Sequence, residues 1–158
     1  MHPHEELLTR FYDALARRDG DAMAACYHTG VHFQDEVFDL RGARAGAMWR
    51  MLCARGRDLT VEVSGIWADG DTGAAHWEPR YTFSATGRVV HNVIDASFTF
   101  EDGLIRTHRD RFAFWAWARQ ALGVPGVVLG WTPWLQTKVA AEAERSLDAY
   151  IARCGRPA

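Results

Sequence analysis

The sequence predicts an α+β fold, with three helices laid on one face of a curved antiparallel sheet and a further helical tail. Three observations carry this. Apolar residues recur at helical spacing before Gly56. Four long β-rich runs follow, joined by turn-forming residues. Helical spacing then returns from about residue 115 onward.

Residues 5 to 18, EELLTRFYDALARR, place Leu7, Leu8, Phe11 and Leu15 on one stripe flanked by Ala14, which predicts the first helix. DGD at 19 to 21 interrupts it, and Asp21 is a candidate N-cap for a short second helix, AMAACYH. VHFQDEVFDLRG reads as two short extended pieces. GARAGAMWRMLCARG carries Ala43, Met48, Met51 and Leu52 at helical spacing and predicts a third helix despite its glycines. The β-rich runs are DLTVEVSGIWA, GAAHWEPRYTFSA, RVVHNVIDASFTFE and GLIRTHRDRFAFW. DGDTG, TG and DG separate them, the residue types that close hairpins, so the runs predict an antiparallel meander. In the tail, FWAWARQALG stops at Gly123 and VPGVVLGW is an apolar connector. A long helix then runs from N-cap Thr132 and Pro133 to a stop at Gly155, with Leu135, Val139, Ala143, Leu147 and Tyr150 or Ile151 as its stripe. Nothing reads as a linker or repeat, so residues 1–158 are expected to form one domain, its main body about 5–117 and its tail about 115–155.

The bulk numbers exclude several classes. A chain of 158 residues, 48% hydrophobic and 24% charged, suits one domain with one core. The net charge of −2 gives no general attraction for nucleic acid or an anionic membrane. No apolar stretch long enough to span a bilayer and no leader pattern at Met1 is present, which predicts a cytoplasmic protein. Cys26, Cys53 and Cys154 are odd in number and widely spaced, and read as reduced thiols. His2 and His4 have no further metal ligands nearby, and no nucleotide-binding or serine-hydrolase motif occurs, so neither metal nor organic cofactor is expected.

LIRTHRDRFAFW, residues 104 to 115, does not alternate as a half-buried strand should. Read with period 2, Ile105, Thr107, Arg109 and Arg111 share one face, and Arg106, His108, Asp110 and Phe112 share the other. Neither face is wholly apolar, which suits a strand lining a half-wet hollow where ligand or water meets its polar groups.

The order of elements over residues 5 to 117 resembles the nuclear transport factor 2-like superfamily, above all in FYDALARRDGDAMAACYHTGVHFQDEVFDLRG and VIDASFTFEDGLIRTHRDRF. That group includes ketosteroid isomerases, SnoaL-like polyketide cyclases, limonene epoxide hydrolase and many binding proteins without chemistry. The resemblance implies a cone, a bent sheet wrapped around the first helix with an apolar cavity at its open end. It also assigns roles. Asp35 looks like the isomerase general base, and Asp95 like the isomerase acid that stays protonated and donates to the enolate oxygen. Asp110 looks like the catalytic aspartate of the cyclases. The isomerase oxyanion tyrosine falls at or near Phe11; Tyr12 is one step along the helix and about 100° round it, so that donor pair is predicted to be incomplete.

With Asp95 inward, pairing across the EDG turn brings Asp95 and Asp110 into one cavity, with His91 and His108 as proton relays. Trp77 and Tyr81 on the preceding strand supply apolar walls, and Phe11, Tyr12, Trp49 and Phe112 complete the candidate ligand-binding set. Apolar walls raise a carboxyl pKa, so one acid can donate to an oxyanion while a better-solvated one acts as base, as in ketosteroid isomerase. Two of the acids also have a structural reading: Asp35 as a turn cap in QDEVFD, Asp110 as an ion-pair partner among Arg106, Arg109 and Arg111. Phe98 and Phe100 fall opposite Asp95, and are therefore expected on the outer face as a homodimer contact. VPGVVLGWTPW is a second apolar surface; it lacks a Lys/Arg-rich polar face, so membrane contact is not expected. Three functions compete: a cofactor-free isomerase, cyclase or hydratase acting on a small apolar carbonyl compound, a non-catalytic binder of such a molecule, and an interaction domain with a filled interior.

Overall fold

The computed structural model describes residues 1–154. It has the expected α+β architecture, a curved open sheet holding the N-terminal helices, with the tail packed against it. Helix α1 (Pro3–Ala16) begins at His2, whose ring nitrogen accepts from the His4 amide. Its stripe Leu7, Leu8, Phe11, Tyr12 and Leu15 is buried. The short α2 (Gly20–Ala25) is capped by Asp19, not Asp21, since Asp19 Oδ1 takes the Ala22 amide at 3.0 Å. Strands β1 (Tyr27–Gln34) and β2 (Asp39–Arg41) form a hairpin ahead of α3 (Ala43–Arg55).

The meander follows as β3 (Thr60–Asp69), β4 (Thr72–Phe83), β5 (Arg88–His91), β6 (Ile94–Glu101) and β7 (Leu104–Arg111). The run read as one strand from Arg88 to Glu101 is divided at Asn92 and Val93, although both parts keep the same register on β4. The gap lies opposite Pro79, which has no N–H to give the ladder; the Pro79 carbonyl still accepts from Asn92. The sheet order is β2-β1-β7-β6-β4-β3, with β5 beside β4, and among the described residues only β1 and β7 pair in parallel.

Register decides which side chains enter the cone. On β6, Ile94, Ala96, Phe98 and Phe100 are buried while Asp95 and Glu101 are exposed. Phe98 and Phe100 are therefore core residues, which corrects their expected place on the outer face. The DG turn of the β6–β7 hairpin pairs Glu101 with Leu104 and Phe100 with Ile105. Between Phe100 and Thr99 the register shifts, because Thr99 pairs with Thr107 and leaves Arg106 as an extra residue. Beyond this bulge Phe98 faces His108 and Ala96 faces Asp110. Ile105, His108 and Asp110 all point inward as a result, which accounts for the broken alternation of this strand.

The tail comprises α4 (Phe114–Leu122), α5 (Val124–Leu129) and α6 (Pro133–Cys154). Thr132 caps α6 as expected, its hydroxyl accepting from Leu135 at 3.2 Å. The expected stop at Gly155 lies outside the described residues. Trp117, Ala118, Ala121 and Leu135 form a second core with Val90, against which Val37, Tyr81 and Phe112 pack. Arg44 on α3 binds Glu144 at 2.6 Å and Asp148 at 2.9 Å on α6.

Candidate active site

A line of hydrogen bonds crosses the interior of the cone. Trp49 on α3 donates its indole N–H to the Tyr27 hydroxyl at 2.7 Å. The Tyr27 oxygen lies 2.8 Å from His108 Nδ1, and His108 Nε2 lies 2.8 Å from Asp110 Oδ1. Trp77 on β4 adds a second indole N–H to Asp110 Oδ1 at 3.3 Å. Direction follows from valence. An indole N–H can only donate, so the Tyr27 hydroxyl accepts from Trp49 and is free to give its own proton to His108 Nδ1. His108 then carries its proton on Nε2 and donates to Asp110. Every polar hydrogen in the line has an acceptor.

This line is dry. The side chains of His108 and Asp110 are 0% and 2% exposed. Phe98 and Phe33 stand 4.4 Å and 4.9 Å from the His108 ring, and the Trp49 ring stacks at 6.1 Å. Phe11, Phe33 and Met48 fill the volume around it, so side chains occupy the depth of the cone. Within this packing the Tyr12 hydroxyl is buried without a hydrogen-bond partner. Its pKa is well above the ordinary tyrosine value, first through burial and then through the charge of Asp110. A buried donor without a protein partner is costly.

Asp35 sits in the turn between β1 and β2. Its Oδ1 accepts the Val37 amide at 2.7 Å and the Phe38 amide at 2.6 Å, so the structural reading of this residue holds. The same residue is electrostatically unusual. Protein surrounds most of the carboxyl, though an edge reaches solvent, and this burial pushes its pKa up to about 7 against the pull of the two amides. The charges of Asp110 and Glu36 add to the rise. Tyr81, half-buried near this turn, accepts the Trp117 indole N–H at 2.9 Å. Gln136 on α6 donates to the Glu36 carbonyl at 2.8 Å, and Leu135 joins the core that holds Val37. The tail is thus fastened over the end of the cone where Asp35 lies.

The family model described as a SnoaL-like domain matches residues 8–108. The chain belongs to the SnoaL-like family. A search of curated proteins finds no significant match. Among solved structures, a protein with a ketosteroid isomerase-like fold from Catenulispora acidiphila, in complex with trimethylamine, superposes with a TM-score of 0.67 at 14% identity, covering 81% of this chain and 98% of that one. An LEH-like epoxide hydrolase from M. tuberculosis gives 0.61 at 22% identity, covering 80% and 96%. An NTF2-like protein of unknown function from Burkholderia pseudomallei gives 0.61 at 16%, covering 71% and 92%. At such identities these likenesses concern the fold, which is that of the nuclear transport factor 2-like superfamily.

Within this SnoaL-like cone the expected residues divide into two groups. Asp110 and His108 point inward, with Phe11, Tyr12, Trp49 and Trp77 buried around them; Tyr81 and Phe112 are half-buried beneath the tail. Asp95 and His91 lie elsewhere. Asp95 is exposed on the outer face and binds His76 Nδ1 at 2.8 Å; His76 and His91 both reach Glu78, each at 2.7 Å. The expectation that Asp95 shares a cavity with Asp110 is therefore corrected, because the bulge at Arg106 sets Ala96 opposite Asp110. The ion-pair expectation for Asp110 is corrected too: Arg109 lies 3.0 Å from Glu36, and Asp110 takes indole and imidazole donors. Tyr27 was not singled out by sequence, although an aromatic beside polar residues in CYHTG is its only trace.

Among the described residues, His28, Glu101 and Asp102 are the one group of three with metal-binding side chains close together. They do not suit a cation. His28 Nδ1 accepts the Gly30 amide at 2.9 Å, so the ring proton is on Nε2, the nitrogen that faces Glu101 and Asp102. Nor is any described helix long and apolar enough to cross a membrane.

Proposed function

We propose that this SnoaL-like protein takes a small apolar carbonyl compound into the Asp35 end of the cone and moves protons on it without a cofactor. The observation that carries the reading is Asp35, a partly accessible carboxyl with its pKa at about 7, beside the buried Asp110. A carboxylate that basic abstracts a proton next to a carbonyl far better than an ordinary aspartate, and it titrates where a general base is most effective. The unpaired Tyr12 hydroxyl supplies a donor for the oxyanion that forms. It takes the part of the tyrosine that Phe11 replaces. His108 and Asp110 hold Tyr27 and Trp77 in place at the buried end of the cone. Because aromatic side chains fill the depth of the cone, substrate enters by displacing the tail or a ring at the Asp35 end.

Binding of acetophenone, cyclohexenone and δ-lactone probes is the test, read first by thermal shift and then by exchange of α-hydrogens for deuterium in D2O. Exchange that Asp35→Asn lowers at least about a hundredfold supports the proton-transfer reading. A thermal shift that persists in Asp35→Asn and Asp110→Asn, with no exchange in any form, leaves the binding module as the better account. No shift with any probe favours the interaction domain, for which the filled interior is the specific support. The homodimer implied by the family would use the outer face bearing His76, Glu78, His91 and Asp95, since Phe98 and Phe100 are buried. Sedimentation of the intact protein measures it.

A further inference from the structure

Helix α5 is built inside out. Surface helices ordinarily bury valine and expose small or polar residues. Here Gly126 and Gly130 are buried, and Val124, Val127 and Val128 are exposed. Close packing forces this arrangement. A Cβ on Gly126 would stand 1.9 Å from the Ala118 carbonyl oxygen, and one on Gly130 would stand 3.0 Å from the Ala118 Cβ. The glycine side of α5 is thus pressed onto α4, and the valines face outward. Trp131 adjoins this surface, Trp134 is exposed on the first turn of α6, and the exposure of Val124 and Trp131 reaches 75% and 73%.

The indoles are oriented for an apolar neighbour. Trp115 donates its N–H to the Val127 carbonyl at 3.2 Å, and Trp131 donates to the Val128 carbonyl at 2.9 Å. Two of the ring N–H groups are therefore satisfied by backbone, while the rings stay exposed. Cations border the patch. The Arg119 guanidinium lies 4.9 Å from the Trp115 ring and the Lys138 ammonium 5.0 Å from the Trp134 ring. Arg88 packs beside Gly123, next to Val124. No Asp or Glu stands between Asp110 and Glu142, in a chain whose net charge is −2. The segment itself carries no Lys or Arg between Gly123 and Trp134; folding brings the cations to its edges from α4, β5 and α6.

We propose that the α5 face, with Trp131 and Trp134, docks on an anionic lipid surface. Valines and indoles enter the headgroup boundary, and Arg88, Arg119 and Lys138 meet lipid phosphates and carboxylates. A second copy fits this patch poorly. A two-fold contact would set the same cations against each other with no acid from the segment to neutralise them. Anionic lipid supplies the missing charge.

Vesicle flotation of the full-length protein tests the assignment, using phosphatidylcholine alone and phosphatidylcholine with about 30% phosphatidylserine. Wild type is expected to float with the anionic vesicles and more weakly with the neutral ones. Val127→Asp with Val128→Asp abolishes flotation. Arg119→Glu with Lys138→Glu lowers the fraction bound to anionic vesicles at least about tenfold. Circular dichroism and Tm of both variants match wild type, because the altered side chains are exposed. Absence of flotation, or flotation kept by the Val127→Asp/Val128→Asp variant, overturns the proposal. So does a wild-type dimer in lipid-free buffer that this variant dissolves, which assigns the patch to self-association.

Discussion

Asp35 shows how one side chain can serve the fold and strain it. Two short amide bonds make it a turn cap, yet burial lifts its pKa from an ordinary 3.8 to about 7. The sign of the stability effect follows. As pH rises from about 4 to about 7, the unfolded chain releases the Asp35 proton while the folded chain keeps it, so the native state binds more protons and stability falls across that window. The loss is at most about 4 kcal/mol, reduced by the contact of the carboxyl with solvent. Asp35→Asn, which still accepts both amides, is expected to remove this fall. Its Tm should exceed that of wild type at pH 8 by more than at pH 4.5, as differential scanning fluorimetry will measure. Substitution at Asp110 is expected to destabilise instead. Asp110→Ala strands the His108 and Trp77 N–H groups in a dry core and should cost about 2–4 kcal/mol in urea denaturation. Asp110→Asn keeps an acceptor oxygen and should cost much less. Asp95→Asn, on the outer face, should leave Tm within about 2 °C.

At the scale of elements, the sequence made the helix stripes, the hairpin turns and the Thr132 cap legible, because each depends on residues within one or two turns of chain. The inward set of β7 was only half legible. His108 and Asp110 were visible as polar residues on a strand with no clean apolar face. Their partners were not, because a tight DG turn without a bulge pairs Asp95 with Asp110, and nothing local announces that Arg106 is extra. The error then propagated: an inward Asp95 requires Phe98 and Phe100 to point out. The paired strand held a check. Trp77 aligns with Ile94, so an inward Trp77 already requires an outward Asp95. Phe98→Ala separates the two assignments. A buried Phe98 should cost about 3–5 kcal/mol on truncation, measured by chemical denaturation, whereas an interface residue would instead change the association constant.

Across the whole molecule, the tail couples two cores. Val37 and Phe112 pack against both the main core and the tail core, and Gln136 ties α6 to the Asp35 turn. The tail therefore contributes to the dry surroundings that raise the Asp35 pKa. Leu135→Ala should cost about 2–3 kcal/mol and lower the Asp35 pKa toward the usual carboxylate range, as an NMR titration of the side-chain carbon will record. A tail that packed independently of the site would leave that pKa where it is. None of this coupling could be read from periodicity, since it depends on where a helix settles after the sheet has closed.

The extra residue at Arg106 reaches beyond this molecule. Two homologues can share every letter around an aspartate and yet differ by one insertion in the loop side of the hairpin, which sends that carboxyl through the sheet instead of into it. Catalytic equivalence in such cones is therefore a matter of odd or even count from the nearest bulge, and matching columns of aligned letters will transfer an acid to the wrong side of the wall whenever that count changes.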